Sequence, residues 1–151
     1  EALWKVRRLV SPSLRDVNPH KFNEDIVVPR SKVPEVIRRI EQIQQKYDIP
    51  IVNFGHAGDG NIHVNVMINK DLPGQEEKAH EAIKEVFQAA LDLNGTMSGE
   101  HGVGLAKQPY IELELSPVQI ATMEAIKLAL DPNNILNPGK IFPWKELPHA
   151  P

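Results

Sequence analysis

Two histidines at the ends of a glycine-rich turn limit how this chain can fold. They lie seven residues apart, as His56 and His63, in the segment Asn53-Phe-Gly-His-Ala-Gly-Asp-Gly-Asn-Ile-His63. Residues at such a spacing on a straight strand point to opposite faces, so the two side chains share a site only if the chain reverses between them. Gly60 permits the reversal, because glycine adopts positive φ without steric cost and Asp-Gly is a strong hairpin signal. The apolar residues on both sides therefore predict two antiparallel strands that are joined close to the histidines.

A second glycine-rich segment, Ser98-Gly-Glu-His-Gly-Val-Gly104, supplies a carboxylate that the first segment lacks. Two neutral imidazoles and one carboxylate form a three-ligand set that catalytic metals use, with a position left open for water or substrate. We therefore predict a metal site made by His56, His63 and Glu100, with zinc, manganese or iron as the metal. His101 follows directly, and in an irregular loop it can act as a base beside the metal. A histidine taken alone is more often a structural residue, so this hypothesis depends on the two segments meeting.

The composition indicates a globular domain and excludes several classes of function. The chain has 151 residues, of which 41% are hydrophobic and 25% charged, as is ordinary for globular proteins. Its net charge of −3 at pH 7 argues against nucleic-acid binding. The lack of cysteine excludes disulfides and thiolate metal sites. No apolar run approaches the ~20 residues that span a bilayer. We expect a cytoplasmic protein that is at most peripheral to the inner face of a membrane.

Hydrophobic periodicity predicts an α+β fold in which helices cover one face of an antiparallel sheet. A helix between two strands gives the order of a βαβ unit, so the sheet resembles an incomplete part of a ferredoxin-like arrangement. Ser31 is the expected cap of the first long helix, and Ser116 with Gln119 forms a capping box ahead of the last one. A polar loop is expected between the first helix and the first strand. The predicted helices are 2–10, 31–47, 76–93 and 116–130, and the predicted strands are 26–29, 51–54 and 62–68.

Three motifs follow one another in the chain: Gly55-His-x-Gly-Asp-Gly-Asn-x-His63, Gly99-Glu-His-Gly-x-Gly104 and Asp131-Pro-x-x-Ile-Leu-Asn-Pro-Gly-Lys140. In this order and at these distances they resemble the C-terminal part of the FAD-linked oxidases of the vanillyl-alcohol-oxidase type. The similarity runs from about Leu3 to Phe142 and is greatest to the group of glycolate oxidase flavoprotein subunits, D-lactate dehydrogenases and D-2-hydroxyglutarate dehydrogenases.

The resemblance implies a flavin-dependent oxidoreductase that converts a 2-hydroxy acid, such as glycolate or D-lactate, to the 2-oxo acid. Its implied cofactors are FAD and a divalent metal. We assign Asn61, within the first motif, to the substrate site as well. The full set of roles is metal binding by His56, His63 and Glu100, catalysis by His101, substrate binding by Arg7, Lys21 and Asn61, and flavin contact by Asn137.

The same resemblance implies that residues 1–142 are the substrate and metal domain of such an enzyme and that residues 143–151 are an extended tail. The FAD-binding domain would be a separate N-terminal part of the polypeptide, so we expect residues 1–151 alone to be inactive. The implied partners are that FAD domain, an iron–sulfur electron-transfer subunit and, through exposed apolar surface, a second copy of the chain in a homo-oligomer.

Two other hypotheses remain open from the sequence. One is a metal-dependent hydrolase that uses the open metal position, although the chain lacks an H-E-x-x-H motif. The other is a non-catalytic ferredoxin-like module whose polar loops bind a small ligand without a metal. Metal analysis separates the module from the two enzymes, and flavin content separates an oxidoreductase from a hydrolase.

Overall fold

The structure is a computed structural model that describes residues 2–56 and 58–143, without the side chains of residues 2, 3, 7, 10 and 15. Its elements fall into two compact units, residues 1–99 and residues 100–151. The helices and strands are α1 (Ala2–Ser13), β1 (His20–Val27), α2 (Val33–Tyr47), β2 (Ile51–His56), β3 (Asn61–Ile68), α3 (Gln75–Asp92) and α4 (Pro117–Leu130). No helix in the described part of the chain is both long and apolar enough to cross a membrane.

The first unit is built on a three-stranded sheet in which the last strand in sequence lies in the middle. The strand order is β1-β3-β2, and β3 is antiparallel to both neighbours. β1 and β2 therefore run in the same direction, with α2 connecting them and β3 between them. This is the split βαβ arrangement of ferredoxin-like folds. The prediction of an α+β fold with an antiparallel sheet is confirmed.

One face of this sheet is covered by α2 and α3, which also pack against each other. The apolar residues of both helices recur at intervals of three and four, so they form one stripe that faces the sheet. Truncating a buried phenylalanine such as Phe87 to alanine costs about 3–5 kcal/mol, which indicates how much this layer stabilises the unit. The buried residues of the layer include Val36, Ile40 and Ile43 of α2, Ile83, Val86 and Phe87 of α3, and Ile62, Val64, Val66 and Ile68 of β3.

The opposite face of the sheet carries polar side chains although β3 is buried along its whole length. Side chains alternate between the faces of a strand, so Asn61, His63 and Asn65 point away from the helices. The strand register adds residues of β1 and β2 that lie beside them, such as Asp25 opposite His63. We call this set the polar sheet face, and its members are Lys21, Asn23, Asp25, His56, Asn61, His63 and Asn65.

The polar sheet face explains why the sequence predicts too short a first strand. β1 begins at His20 and not at Ile26, so residues 20–25 of the expected polar loop belong to the strand. Five of these six residues are polar and they lie on both faces of the strand, which hides the alternation of apolar and polar residues. Two other predictions were wrong. Ser31 lies in a 3₁₀ turn and α2 has no side-chain cap. α1 continues through Pro12 to Ser13, whose hydroxyl donates to the carbonyl of Leu9 at 2.7 Å.

The second unit contains a 3₁₀ helix (Gln108–Leu113), α4 and the turns that follow it. The predicted capping box of α4 is confirmed: the Ser116 hydroxyl accepts from the backbone N–H of Gln119, and the Gln119 side chain accepts from that of Ser116. After α4 the chain returns to the start of the unit, where the backbone N–H of Ile141 donates to the carbonyl of Gly104 at 2.8 Å. Of the expected tail, residues 144–151 lie outside the described residues.

Candidate metal centre

The hairpin between β2 and β3 brings the two histidines together. The ring centroids of His56 and His63 are 5.4 Å apart, and the rings meet edge to face at 78°. The turn is closed by the backbone N–H of Gly60, which donates to the carbonyl of His56 at 3.2 Å. Gly60 has a φ of +81°, and a Cβ there would lie 2.1 Å from the carbonyl oxygen of Val28. Only glycine fits such a position, and the predicted chain reversal is confirmed.

His63 is held in place by its surroundings on the polar sheet face. It is buried in the middle strand, while His56 at the edge is half-buried. Phe54 is the residue opposite His63 in β2, and the two ring centroids are 5.2 Å apart. Packing against a ring leaves the imidazole of His63 few orientations. A metal ligand that is oriented in advance loses less conformational entropy when an ion binds.

The segment that precedes Glu100 is fixed to the same end of the sheet. The backbone groups of Thr96 and Val27 exchange two hydrogen bonds, at 2.9 and 3.1 Å. Three residues later, the backbone N–H of Gly99 donates to Oδ2 of Asp25 at 2.7 Å. A Cβ on Gly99 would lie 2.8 Å from Oδ1 of Asn61, so a larger residue does not fit there. Gly99, a residue of the second glycine-rich segment, thus lies beside Asn61 of the hairpin.

Glu100 follows Gly99 by one peptide bond and completes the predicted ligand set. One nitrogen each of His56 and His63 and one carboxylate oxygen of Glu100 lie within 4.8 Å of one another. Two imidazole nitrogens and a carboxylate suit a divalent ion and leave a coordination position for water or substrate. His63 is buried, whereas Glu100 and the adjacent His101 are exposed. These residues therefore fit a divalent metal that remains accessible to a ligand from solvent.

Asn61 adds an acceptor beside the two histidines. Its residue is buried, and its Oδ1 has no hydrogen-bond partner among the described residues. A buried acceptor left unsatisfied costs about 1–3 kcal/mol, so such atoms in native proteins call for a ligand, ion or water. The backbone N–H of Asn61 donates to Oδ1 of Asp59 at 2.9 Å, which fixes the residue at the start of β3. Asp59 therefore has a local role in the turn.

Lys21 lies farther along the polar sheet face, at the start of β1. Its Nζ donates to Oγ of Ser11 at 3.0 Å and to Oδ1 of Asn65 at 3.1 Å. It borders a recess of about 590 Å³ that Ser11 also lines. Within the described part of the chain its hydrogen-bond partners are neutral, so its positive charge is available to an anion. The fully buried Asn65 in turn donates to the carbonyl of Val52 at 3.2 Å.

Asn65 and Asp25 are polar residues of this region that the sequence pattern does not single out. Asn65 could have been found from strand alternation, because it lies two residues after His63 and so shares its face. Asp25 offers no such signal, because its segment has the polar composition of a loop.

The remaining predicted residues are Arg7, Asn137 and His101. The side chain of Arg7 lies outside the described residues. Asn137 belongs to the second unit, adopts a left-handed φ of +51° and accepts from Nζ of Lys140 at 3.1 Å. His101 belongs to the second unit as well.

Comparison with known proteins gives a family match over nearly the whole chain. The family described as "FAD linked oxidases, C-terminal domain" matches residues 1–141. The glycolate oxidase subunit GlcD of Bacillus subtilis (strain 168) is 44% identical over 141 residues, which are 93% of this chain and 30% of that protein. The D-2-hydroxyglutarate dehydrogenase of Stutzerimonas stutzeri (strain A1501) is 41% identical over 145 residues, 93% of this chain and 31% of that protein.

A third relative is the D-lactate dehydrogenase of Archaeoglobus fulgidus, which is 39% identical over 141 residues, 93% of this chain and 30% of that protein. The chain thus spans about 30% of the length of these relatives.

Proposed function

We propose a function that follows from the family to which this chain belongs, "FAD linked oxidases, C-terminal domain". In this proposal the chain is the substrate- and metal-binding part of a flavin-dependent oxidoreductase. The proposed substrate is a 2-hydroxy acid, which is oxidised to the 2-oxo acid. The names of the three relatives refer to glycolate, D-lactate and D-2-hydroxyglutarate, and these compounds share that group. FAD would supply the hydride acceptor, from a part of the enzyme outside this sequence.

The observation that supports a metal in this function most directly is the 4.8 Å grouping of ligand atoms from His56, His63 and Glu100. A divalent ion supplies Lewis-acid chemistry, since it lowers the pKa of a coordinated hydroxyl as it does that of water. In the proposal the three side chains would hold the ion. His101 accepts the hydroxyl proton of the substrate, which is the role of a general base.

Other residues are proposed to bind and orient the acid. Asn61 has a buried acceptor oxygen that can receive a hydrogen bond from the substrate. Lys21 offers a positive charge held in place by neutral partners, which suits a carboxylate. Arg7 is proposed to bind the same carboxylate, and Asn137 to contact the flavin. The proposed partners remain the FAD domain, an iron–sulfur electron-transfer subunit and a second copy of the chain, in a cytoplasmic enzyme that is at most peripheral to the membrane.

The test uses the intact polypeptide that contains these residues, purified without added metal. We expect about one divalent ion per chain by elemental analysis, since the site offers one set of three protein ligands. Anaerobic addition of glycolate, D-lactate or D-2-hydroxyglutarate should bleach the flavin absorbance, and prior treatment with a chelator should abolish the bleaching until metal is restored.

Other results would favour the alternatives. Bound metal and ester or amide hydrolysis in a protein without flavin would favour the hydrolase. A protein with neither metal nor flavin that still binds a small molecule would favour the non-catalytic module.

A further inference from the structure

Asp25 is a buried carboxylate that the proposed chemistry does not use. It lies on β1 directly opposite His63 of β3, and its residue is 0% exposed. A charged group is expensive to bury unless hydrogen bonds compensate it, so its contacts indicate what it does. One of these contacts reaches across 74 residues of sequence to the backbone N–H of Gly99, at 2.7 Å. Such a short distance is typical of a hydrogen bond to a charged acceptor.

This hydrogen bond fixes the backbone immediately before the proposed metal ligand Glu100. The Cα atoms of Gly99 and Glu100 are about 3.8 Å apart, as across any trans peptide. Glu100 is exposed, so burial of its own side chain does not hold it. Gly99 has no side chain that could anchor it either. The backbone hydrogen bond that Gly99 donates to Asp25 therefore helps to set the orientation of the chain at this point.

The segment from Thr96 to Gly99 is attached to β1 at both of its ends. Thr96 pairs with Val27 through two backbone hydrogen bonds, and Gly99 is bound two residues earlier on β1, at Asp25. The first attachment uses only backbone atoms, so it does not depend on the side chains at these two positions. The second requires a side-chain acceptor of the right length at residue 25. The same strand position also places Asp25 beside His63, so one residue links both glycine-rich segments.

We propose that Asp25 is a positioning residue for the metal site, which acts by holding the Gly99 N–H so that Glu100 is directed toward His56 and His63. This inference rests on the proposed metal function. It assigns to Asp25 no contact with the metal or with the substrate. Its effect should therefore appear in metal affinity and should depend on the presence of Glu100.

The experiment measures Zn²⁺ and Mn²⁺ affinity of the metal-free intact polypeptide by competition with a chromophoric chelator. Asp25→Leu keeps the branched shape and the number of side-chain heavy atoms but has no acceptor, and we expect affinity to fall about 10–100-fold, as is common when a residue that orients a ligand is lost. Asp25→Asn keeps an acceptor oxygen, so this variant should retain most of the wild-type metal affinity. Asp25→Ser, whose hydroxyl is one bond too short, gives a second loss variant if the leucine variant does not fold.

Two controls separate this role from general stabilisation. Glu24 is the neighbouring residue of β1, buried like Asp25 but on the opposite face of the sheet. Glu24→Gln should therefore leave metal affinity unchanged even if it lowers the melting temperature. In a Glu100→Ala background, Asp25→Leu should cause no further loss of affinity, because the residue that it positions is gone.

The possible failures can be told apart. An unchanged affinity in Asp25→Leu, or the same loss with and without Glu100, would overturn the role of Asp25 and leave the metal site standing. A wild-type protein that binds neither ion would overturn the metal site and this inference together. Amide hydrogen exchange at Gly99 provides a readout without metal, and it should accelerate in Asp25→Leu and not in Glu24→Gln.

Discussion

Glu100 and His101 are adjacent residues for which we propose different roles, and single substitutions should separate them. In the intact enzyme, Glu100→Ala should lose both bound metal and turnover, because it removes a ligand. His101→Ala should keep the metal and lower kcat about 10²–10⁴-fold, as expected for the loss of a general base. Elemental analysis and steady-state kinetics on the same preparations provide the measurement. Equal metal loss in both variants would instead identify His101 as a ligand.

Gly99 is a second residue whose substitution has a defined outcome. A Cβ there would lie 2.7 Å from Cγ2 of Val27 and 2.8 Å from Oδ1 of Asn61, so the sheet end or the segment must move. We expect Gly99→Ala to lower the free energy of unfolding by about 1–3 kcal/mol, the usual cost of overpacking. Urea denaturation measures the difference.

Gly58 offers a matched control in the adjacent hairpin turn. An added Cβ there meets no heavy atom within 4 Å, and Gly58 is not among the residues with positive φ. Gly58→Ala should therefore change the stability by no more than about 0.5 kcal/mol. Equal destabilisation by both substitutions would mean that the close approach at Gly99 is not the cause of the loss.

The residues of the candidate site differ in how far sequence alone could identify them. The proximity of His56 and His63 was predictable because the glycines between them permit a reversal, and the ring distance of 5.4 Å agrees with that prediction. Asp25 was not predictable, because its contact with Gly99 joins residues 74 positions apart. Neither local composition nor periodicity carries information about a partner so distant in sequence.

At the scale of the elements, strong periodicity identifies the helices and weak periodicity hides a strand. α2 and α3 each bury one apolar stripe, so the 3.6-residue period is plain in their sequences. β1 instead carries polar residues on both faces over residues 20–25, and the expected alternation of apolar and polar residues is lost. Tertiary pairing with β3 determines that strand. The 3₁₀ turn before α2 likewise replaces the cap that Ser31 predicts.

The loop after α4 depends on one carboxylate, Asp131. Its Oδ1 accepts from the N–H of Ile135 at 3.1 Å and its Oδ2 from that of Leu136 at 2.9 Å, while Lys127 forms an ion pair with it. The hydrogen bond from Lys127 above all, together with the two backbone N–H groups, lowers the pKa of Asp131 from its ordinary value. The ionised form is thus the one that organises the loop.

This lowered pKa gives a prediction for pH dependence. The folded-state pKa of Asp131 lies below the unfolded value of about 3.9, so its stabilisation is present above that pH and is lost as pH falls through the folded pKa. The amide resonances of Ile135 and Leu136 should therefore shift together only below about pH 4. Asp131→Asn should abolish this titration, and NMR spectra recorded across the acidic range test it. A shared midpoint above the ordinary aspartate pKa would contradict the assignment.

At the scale of the whole molecule, the second unit leaves much apolar surface in contact with solvent. α4 buries Ile120 but exposes Val118 by 75%, Ile126 by 57% and Leu130 by 81%. The helical period in the sequence places Ile126 and Leu130 on the same stripe as Ile120. Periodicity shows which residues share a face, yet it does not show whether the same chain covers that face.

This exposed face leads to a prediction for residues 1–151 produced alone. Contiguous exposed apolar surface favours association, so we expect a dimer or larger oligomer at micromolar concentration by light scattering. The double substitution Ile126→Glu with Leu130→Glu should shift the protein toward monomer, because burying two carboxylates in a contact is costly. Glu112 and Glu114 lie outside α4, and the control Glu112→Gln with Glu114→Gln changes as many carboxylates without altering that face. A monomeric wild-type protein, or equal effects of both pairs, would show that α4 is not the surface through which copies associate.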